Sequence, residues 1–403
     1  MKNLVWFRND LRLHDNPALS QACAKADQVV GIYIVTFKQW EEHNDSPNKI
    51  AFWFRSLIEL QKDLHKLNIP LCILKCDTYD DCPQKILEFA SANEINNLYF
   101  NIEYPVNELK RDEQVQAVLE KMGTSCFSFH DQVIHVPGTL KTKAGTNFSV
   151  YSPFKRCWLA ELDYALLEEH AIPTIKQPVS VNQQDEYDLH SYKQSNINQD
   201  LWPVGEESIQ KMIVNFLDRK GSDYKTDRNF PGLTATSMMS PYINSGVVSS
   251  KWCLNQARAR NYDALDEGDK GLVHWISEIL WREFYRHIIY NFPRVSMGKA
   301  FQEHFEQVPW ENNQDFIEAW KHGRTGIPIV DAGMRQMIET GWMHNRLRMI
   351  VAMFLSKNLM VDWHIGEAFF MQHLIDGDIA SNNGGWQWSA STGTDAAPYF
   401  RIM

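Results

Sequence analysis

Four segments in the second half of the chain collect residue types that could do chemistry. The first runs from Tyr224 and Arg228 to Thr236-Ser237-Met238-Met239-Ser240-Pro241. Small hydroxyl residues before a proline offer hydroxyls and backbone amides to a phosphate at a helix start, although the same residues also make an ordinary N-cap. In the second, Glu278, Trp281, Arg282 and Tyr285 fall at offsets of three, four and seven, with Trp275 just ahead. That spacing puts the four on one helical face. A carboxylate among aromatics and a cation suits a ligand, and the plainer alternative is a half-buried ion pair of Glu278 or Glu283 with Arg282 or Arg286. The third, Gly341 to Met349, aligns Asn345, Arg348 and Met349. An amide, a cation and a thioether together suit a planar heterocycle, whereas a methionine by itself is more often core filler. The fourth, Asp376-Gly377-Asp378 through Trp388, reads as a short loop with two acids and an amide. No histidine or third acid completes a ligand set, so no metal site is expected. Its glycines let backbone approach a flat ligand, and Asp376 is placed to pair with Arg348.

The elements that must hold these segments follow from periodicity. Over residues 1–130, β-like runs (Asn3–Phe7, Val29–Val35, Leu71–Lys75, Asn97–Phe100, Ser125–Phe129) alternate with helical patterns (Ile50–Lys66, Pro83–Ala92, Asn107–Lys121). Such alternation predicts an α/β domain with a parallel, Rossmann-like sheet. No GxGxxG follows the first strand, where Arg8 to Pro17 stand instead, so a nicotinamide-binding domain is not expected. Residues 131–200 are punctuated by prolines and glycines and read as a connection, with one helix near Lys155–Glu169. Residues 201–403 predict an all-α domain, with helices at Leu272–Tyr290, Gln314–His322, Ile329–Thr340, His344–Leu359 and Ile365–Leu374.

With 403 residues and 44% apolar content the chain can fill two cores. The apolar start, Leu4 to Phe7, is too short for a signal peptide, and no run reaches membrane length, so a cytoplasmic protein is expected. Seven scattered cysteines read as free thiols of a reducing compartment. A net charge of −10 argues against wholesale coating of nucleic acid, but a local basic face would still bind DNA.

Three runs carry a resemblance: Trp6-Phe7-Arg8-Asn9-Asp10-Leu11-Arg12, Gly341 to Met349, and Asp376 through Asp395-Ala396-Ala397-Pro398-Tyr399-Phe400-Arg401. The chain resembles the photolyase/cryptochrome family over essentially its whole length, and within it the class I cyclobutane pyrimidine dimer photolyases. The resemblance implies FAD folded inside the helical domain. Tyr224, Thr236, Ser237, Met238, Met239, Ser240, Trp275, Arg348, Asp376, Gly377 and Asp378 would line it, and Asn382 would face its reactive edge. It implies DNA containing cyclobutane pyrimidine dimers as partner, the dimer being extruded at a cost of a few kcal/mol. Glu278 and Asn345 would hydrogen-bond the dimer, Met349 would sit beside it, and Trp281 and Trp388 would sandwich it. Arg228 and Arg401 would hold phosphates, with Arg282 and Arg346 on the same face. The implied reaction is light-driven electron transfer that splits the dimer without net redox, a lyase reaction. Trp386, Trp363 and Trp310 match an electron-hopping chain.

The amide at Asn382 favours repair over signalling, and the alternative is a cryptochrome-like blue-light receptor without repair activity. Asn345 and Met349 stand where six-four enzymes carry histidines, which points to cyclobutane dimers. Asn107 and Glu108 match the grip on a folate antenna, 5,10-methenyltetrahydrofolate, although the accompanying Cys-Lys pair is replaced by Ser296-Met297 with Lys299 nearby. Met238-Met239 replaces an Arg-Leu pair. Relatives continue past the position of Met403, so the helical domain is expected to stop short of theirs. A monomer that does not touch membranes is expected.

Overall fold

In the computed structural model, residues 1–182 and 186–396 are described. Five strands, β1 (Lys2–Phe7), β2 (Gln28–Val35), β3 (Leu71–Lys75), β4 (Asn97–Asn101) and β5 (Ser125–Phe129), form one parallel sheet in the order β3-β2-β1-β4-β5. Leu4, Val30, Ile32, Leu98 and Phe100 point into a core on one face and Val5, Phe7, Val29, Tyr33 and Tyr99 into a core on the other. Both faces are therefore apolar, as a sheet covered by helices on both sides requires. The covering helices are α1 (Pro17–Lys25), α2 (Pro47–Lys66), α3 (Cys82–Ala92) and α4 (Val106–Lys121). α1 was not apparent from periodicity. It is set by Asn16, whose Oδ1 accepts from Leu19 N at 3.1 Å, and by Pro17 in the first turn.

The strand order reverses between β1 and β4, where open α/β sheets usually bind ligands. Here that crevice is filled by the chain itself. Arg8 pairs with Asp112 at 3.1 Å and lies 4.3 Å over the Trp6 ring. Asn101 Nδ2 donates to Asp10 at 2.6 Å. Arg12 pairs with Asp131 and donates to the carbonyl of Gly246 at 3.2 Å. Gly246 has φ +70°, and a Cβ there would lie 2.1 Å from Asn9 O. The Trp6–Arg12 run is thus a joint that fastens the sheet to the helices behind it. Its charged residues serve packing, which explains why no nucleotide fingerprint stands there.

The connecting region makes a helix, α5 (Tyr151–Ala160), and then a short turn, Tyr164–Leu167, in place of one helix to residue 169. Past residue 200 the chain forms α6 (Glu206–Lys220), α7 (Ser240–Asn244), α8 (Ser250–Arg260), α9 (Lys270–Asn291), α10 (Gln314–Lys321), α11 (Pro328–Thr340), α12 (Asn345–Met353), α13 (Trp363–His373) and α14 (Ile379–Ala390). α9 is buried along most of its length and is the central post. The connecting region leans on it. Tyr151 Oη donates to Ser277 O at 2.8 Å, and Trp158 Nε1 donates to the buried Glu283 at 2.7 Å.

Two expectations need correction. The helix expected over His344–Leu359 is α12 followed by a wide π-type turn, Phe354–Asn358. The Asp376–Trp388 segment is not a loop, because α14 begins at Ile379 with Asp378 as its cap, Oδ2 accepting from Ser381 N at 2.9 Å. Its glycines give close helix packing: a Cβ at Gly384 would meet Tyr285 at 2.2 Å. Gly385 beside it faces open space. Among the described residues no helix is long and apolar enough to cross a membrane, and no group of three or more His, Cys, Asp and Glu could hold a metal ion.

Candidate flavin and DNA site

Hydrogen bonds tie the four sequence segments into one place. Trp275 Nε1, on α9, donates to Ser237 Oγ at 3.2 Å, and Trp342 Nε1 donates to Ser240 Oγ at 3.3 Å. Asn244 Nδ2, at the end of α7, donates to the carbonyl of Asp376 at 2.9 Å. Arg348 Nη2 binds both carboxylate oxygens of Asp376, at 2.8 and 3.0 Å, as the sequence suggested. Arg348 Nε donates in turn to Met343 O at 2.8 Å. The hydroxyl segment, α9, the Gly341–Met349 turn and the start of α14 therefore share one frame. Tyr224, Met239 and Gly377 are buried, and Thr236 and Met238 are half-buried. Met238 has φ +51°, a left-handed backbone that a long side chain rarely adopts.

The ion pairs are not those that helical spacing offered. Asp378 pairs with Arg286 at 2.7 Å, and Glu278 pairs with Arg228. Burial alone would raise Asp378, but the charge and hydrogen bond of Arg286 outweigh it and hold the carboxyl well below the usual range. Arg282 is left with neutral acceptors, the carbonyl of Gln132 at 2.7 Å and Asn244 Oδ1 at 3.5 Å. Among the described residues no carboxylate lies within ion-pair distance of it. Burial first, and then Arg286, pull its guanidinium down to about 9. A packed arginine pair of which only Arg286 has a carboxylate partner is a place short of an anion. A dinucleotide with a pyrophosphate supplies that anion, so the donor set fits FAD.

Beside this frame lies a more open face. Glu278, Trp281 and Tyr285 do share a face of α9, each half-buried. One face of Trp281 is covered by Tyr151, stacked at 3.7 Å and 12°. Arg228 is only 5% exposed and is paired with Glu278. Arg346 donates to Asn229 Oδ1 at 2.7 and 2.9 Å and to Met349 Sδ at 3.5 Å. Asn345 is exposed at the start of α12, and Trp388 is half-buried. His344 caps α12, and its imidazole is held below the usual histidine range by burial first, then by the fields of Arg228, Arg346 and Arg348. Arg401 lies outside the described residues.

Asn382 Nδ2 donates to Glu367 O at 3.0 Å. Four residues on, Trp386 is 2% exposed. It belongs with Trp363 to one core cluster, against which the half-buried Trp310 packs. The buried indole Nε1 of Trp386 has no hydrogen-bond partner among the described residues.

At the C-terminal edge of the sheet, Asn107 and Glu108 meet His43 and Tyr79. Asn107 Nδ2 and Gln39 Nε2 each lie 3.0 Å from His43 Nε2, making that nitrogen the acceptor and placing the ring proton on Nδ1. Nδ1 lies 3.8 Å from Glu108 Oε1, to which Tyr79 Oη also donates at 3.3 Å. Burial raises the Glu108 carboxyl, and its second oxygen has no partner among the described residues. Ser296 Oγ accepts from Val106 N at 3.3 Å, which brings the Ser296–Lys299 turn to this corner.

Sequence reasoning missed Asn244, Tyr151, Arg286 as partner of Asp378, and Glu367. Arg286 had a signal, since it stands four residues after Arg282. Tyr151 and Asn244 had none, because their partners lie on other elements, Ser277 and Asp376 more than a hundred residues away.

Comparison with known proteins agrees with this geometry. Residues 3–177 match the DNA photolyase family model, and residues 275–403 match the model for the FAD binding domain of DNA photolyase. The chain is 41% identical over 402 residues to the deoxyribodipyrimidine photo-lyase of Escherichia coli, covering 100% of this chain and 84% of that protein. It is 40% identical to that of Buchnera aphidicola from Acyrthosiphon pisum, covering 100% and 83%. Among solved structures, a class III photolyase from Agrobacterium tumefaciens superposes with a TM-score of 0.90 at 31% identity, covering 100% of this chain and 82% of that one. A Synechocystis cryptochrome gives 0.89 at 25% identity, covering 100% and 84%. The chain belongs to the DNA photolyase family.

Proposed function

We propose that the chain is a deoxyribodipyrimidine photo-lyase, which splits cyclobutane pyrimidine dimers in DNA under light. The observation that carries this reading is the convergence of the Arg348–Asp376 frame, the anion-deficient Arg282–Arg286 pair and the Glu278–Trp281 face on one region of α9. FAD, when bound, supplies the photoexcited electron and takes it back.

The protein's own residues orient and exclude water. Thr236 to Ser240 and Arg282 hold the pyrophosphate, and Met238-Met239 contribute backbone there, leaving Arg282 as the charged partner. Tyr224, Trp275, Gly377, Asp378 and the Arg348–Asp376 pair line the cofactor. Asn382 presents Oδ1, an acceptor for a ring N–H, which favours the reduced state without offering an acidic proton. Glu278, held by Arg228, hydrogen-bonds the dimer with Asn345. Met349 closes the pocket, and Trp281, backed by Tyr151, stacks on the dimer opposite Trp388. Arg346 and Arg401 meet phosphates. Trp310, half-buried, and the buried Trp363 and Trp386 would relay an electron inward to the flavin.

The division into residues 1–130, 131–200 and 201–403 follows this allocation of roles. We place the protein in the cytoplasm as a monomer, in line with its seven free thiols. Glu108 and Asn107, with His43 beside them, form a folate grip.

Blue light on the reduced protein with a dimer-containing oligonucleotide tests the reading. Dimer is lost only in the illuminated sample, and equal dimer in light and dark sinks it. A blue-light sensor would reduce its flavin through Trp386 yet leave dimers intact. The 0.89 superposition on a cryptochrome means the fold alone does not decide between the two, and the dimer assay does.

A further inference from the structure

Cys76 follows directly on β3, and Cys82 opens α3. Five residues separate them, and a single turn, Tyr79–Asp81, folds the chain back on itself. Thr78 N and Oγ1 both donate to Asp81 Oδ2, at 2.8 and 2.9 Å, and lock that turn. The result brings the two sulfurs to 3.7 Å, and both thiols reach the carbonyl of Thr78, at 3.4 Å for Cys76 and 3.7 Å for Cys82. Cys82 is buried and Cys76 half-buried.

We propose that Cys76 and Cys82 form a reversible dithiol–disulfide site, closed by hydrogen peroxide. Bond formation needs the sulfurs to move from 3.7 Å to about 2 Å, which one rotation in each side chain and a small shift of the turn can supply. The two thiols share one contact, and Cys76 is the more exposed of them. One of the two sulfurs, as thiolate, attacks one peroxide oxygen, the O–O bond breaks, and the other oxygen leaves as hydroxide and takes up a proton to become water. The second sulfur then displaces the hydroxyl from that sulfenic acid, forming the S–S bond, and its own proton leaves with that hydroxyl as the second water. Two thiols are oxidised by two electrons and one peroxide is reduced to two waters. The turn that closes also carries Tyr79, whose hydroxyl binds Glu108, so the site adjoins that corner of the sheet.

The test uses the full chain, reduced, desalted and titrated with hydrogen peroxide under native conditions. Two of the seven thiols disappear together, the mass falls by two hydrogens, and a proteolytic fragment pair is linked through Cys76 and Cys82. Dithiothreitol restores both thiols. In Cys76→Ser the link is lost, and Cys82→Ser gives the matching control should the first variant fold poorly. A mass gain at either of the two cysteines of wild-type protein with the other still titratable, or a link made through other cysteines, overturns the proposal.

Discussion

Asn382 and Glu367 are joined through the backbone: the Asn382 amide donates to the Glu367 carbonyl at 3.0 Å, while the next residue, Asn383, donates to Glu367 Oε1 at 2.8 Å. Two consecutive side chains of α14 thus clasp one residue of α13. The clasp fixes which way the Asn382 amide faces, and the site inherits that orientation.

Glu367 makes this clasp pH-dependent. Burial, its largest influence, pushes the carboxyl from 4.5 up to about 6. A carboxyl that ionises later in the folded state loses stability as pH rises from its unfolded value to its folded one, and the loss is complete above about 6. Glu367→Gln keeps an acceptor for Asn383 and cannot ionise. It is expected to match wild type near pH 4 and to exceed it by about 1–2 kcal/mol at pH 8. Denaturant unfolding at the two pH values measures this, and a variant that is less stable at both would refute it.

Gly366 lies under the Trp386 indole, where a Cβ would stand 2.1 Å from the ring. Gly366→Ala should force α13 from α14 and cost roughly 1–3 kcal/mol. Gly385→Ala, in open space on α14, should be nearly neutral or stabilising. Thermal unfolding of the two variants separates the effects, and equal losses would contradict the packing argument.

Trp386→Phe should block photoreduction of oxidised flavin and spare repair by protein that is already reduced. Flavin absorbance under light and the dimer assay read the two activities separately. Loss of both would overturn the assignment of Trp386 to electron supply.

Arg228 and Glu278 should behave as a unit. Removing either leaves its partner, the buried Arg228 or the half-buried Glu278, without a counter-charge, at a cost of about 1–3 kcal/mol. The Glu278→Ala and Arg228→Ala losses should therefore be non-additive in a double-mutant cycle. Glu278→Ala should also lower the repair yield on the order of tenfold, since a charge-assisted hydrogen bond to the dimer is lost. An unchanged yield with intact folding would exclude Glu278 from the dimer pocket.

Much of the architecture could be read from residue order. β3 and β5 occupy the same residues that alternation marked, and the Arg348–Asp376 pair was visible because both residues flank a ligand-like segment. Local periodicity carries this information, since a strand or an amphipathic helix writes its buried face into neighbouring positions. The three-dimensional fold decided the rest. Glu278 had arginines at helical spacing and pairs instead with Arg228, fifty positions earlier. Gly384 and Gly385 of the Asp376–Trp388 segment looked like a loop and lie in a helix, Gly384 serving Tyr285 on another element. Cys76 and Cys82 looked scattered until a turn brought them together. Charge pairing, close packing and sulfur contact depend on distance in space. Sequence spacing limits that distance within one helix or strand and leaves it open between elements.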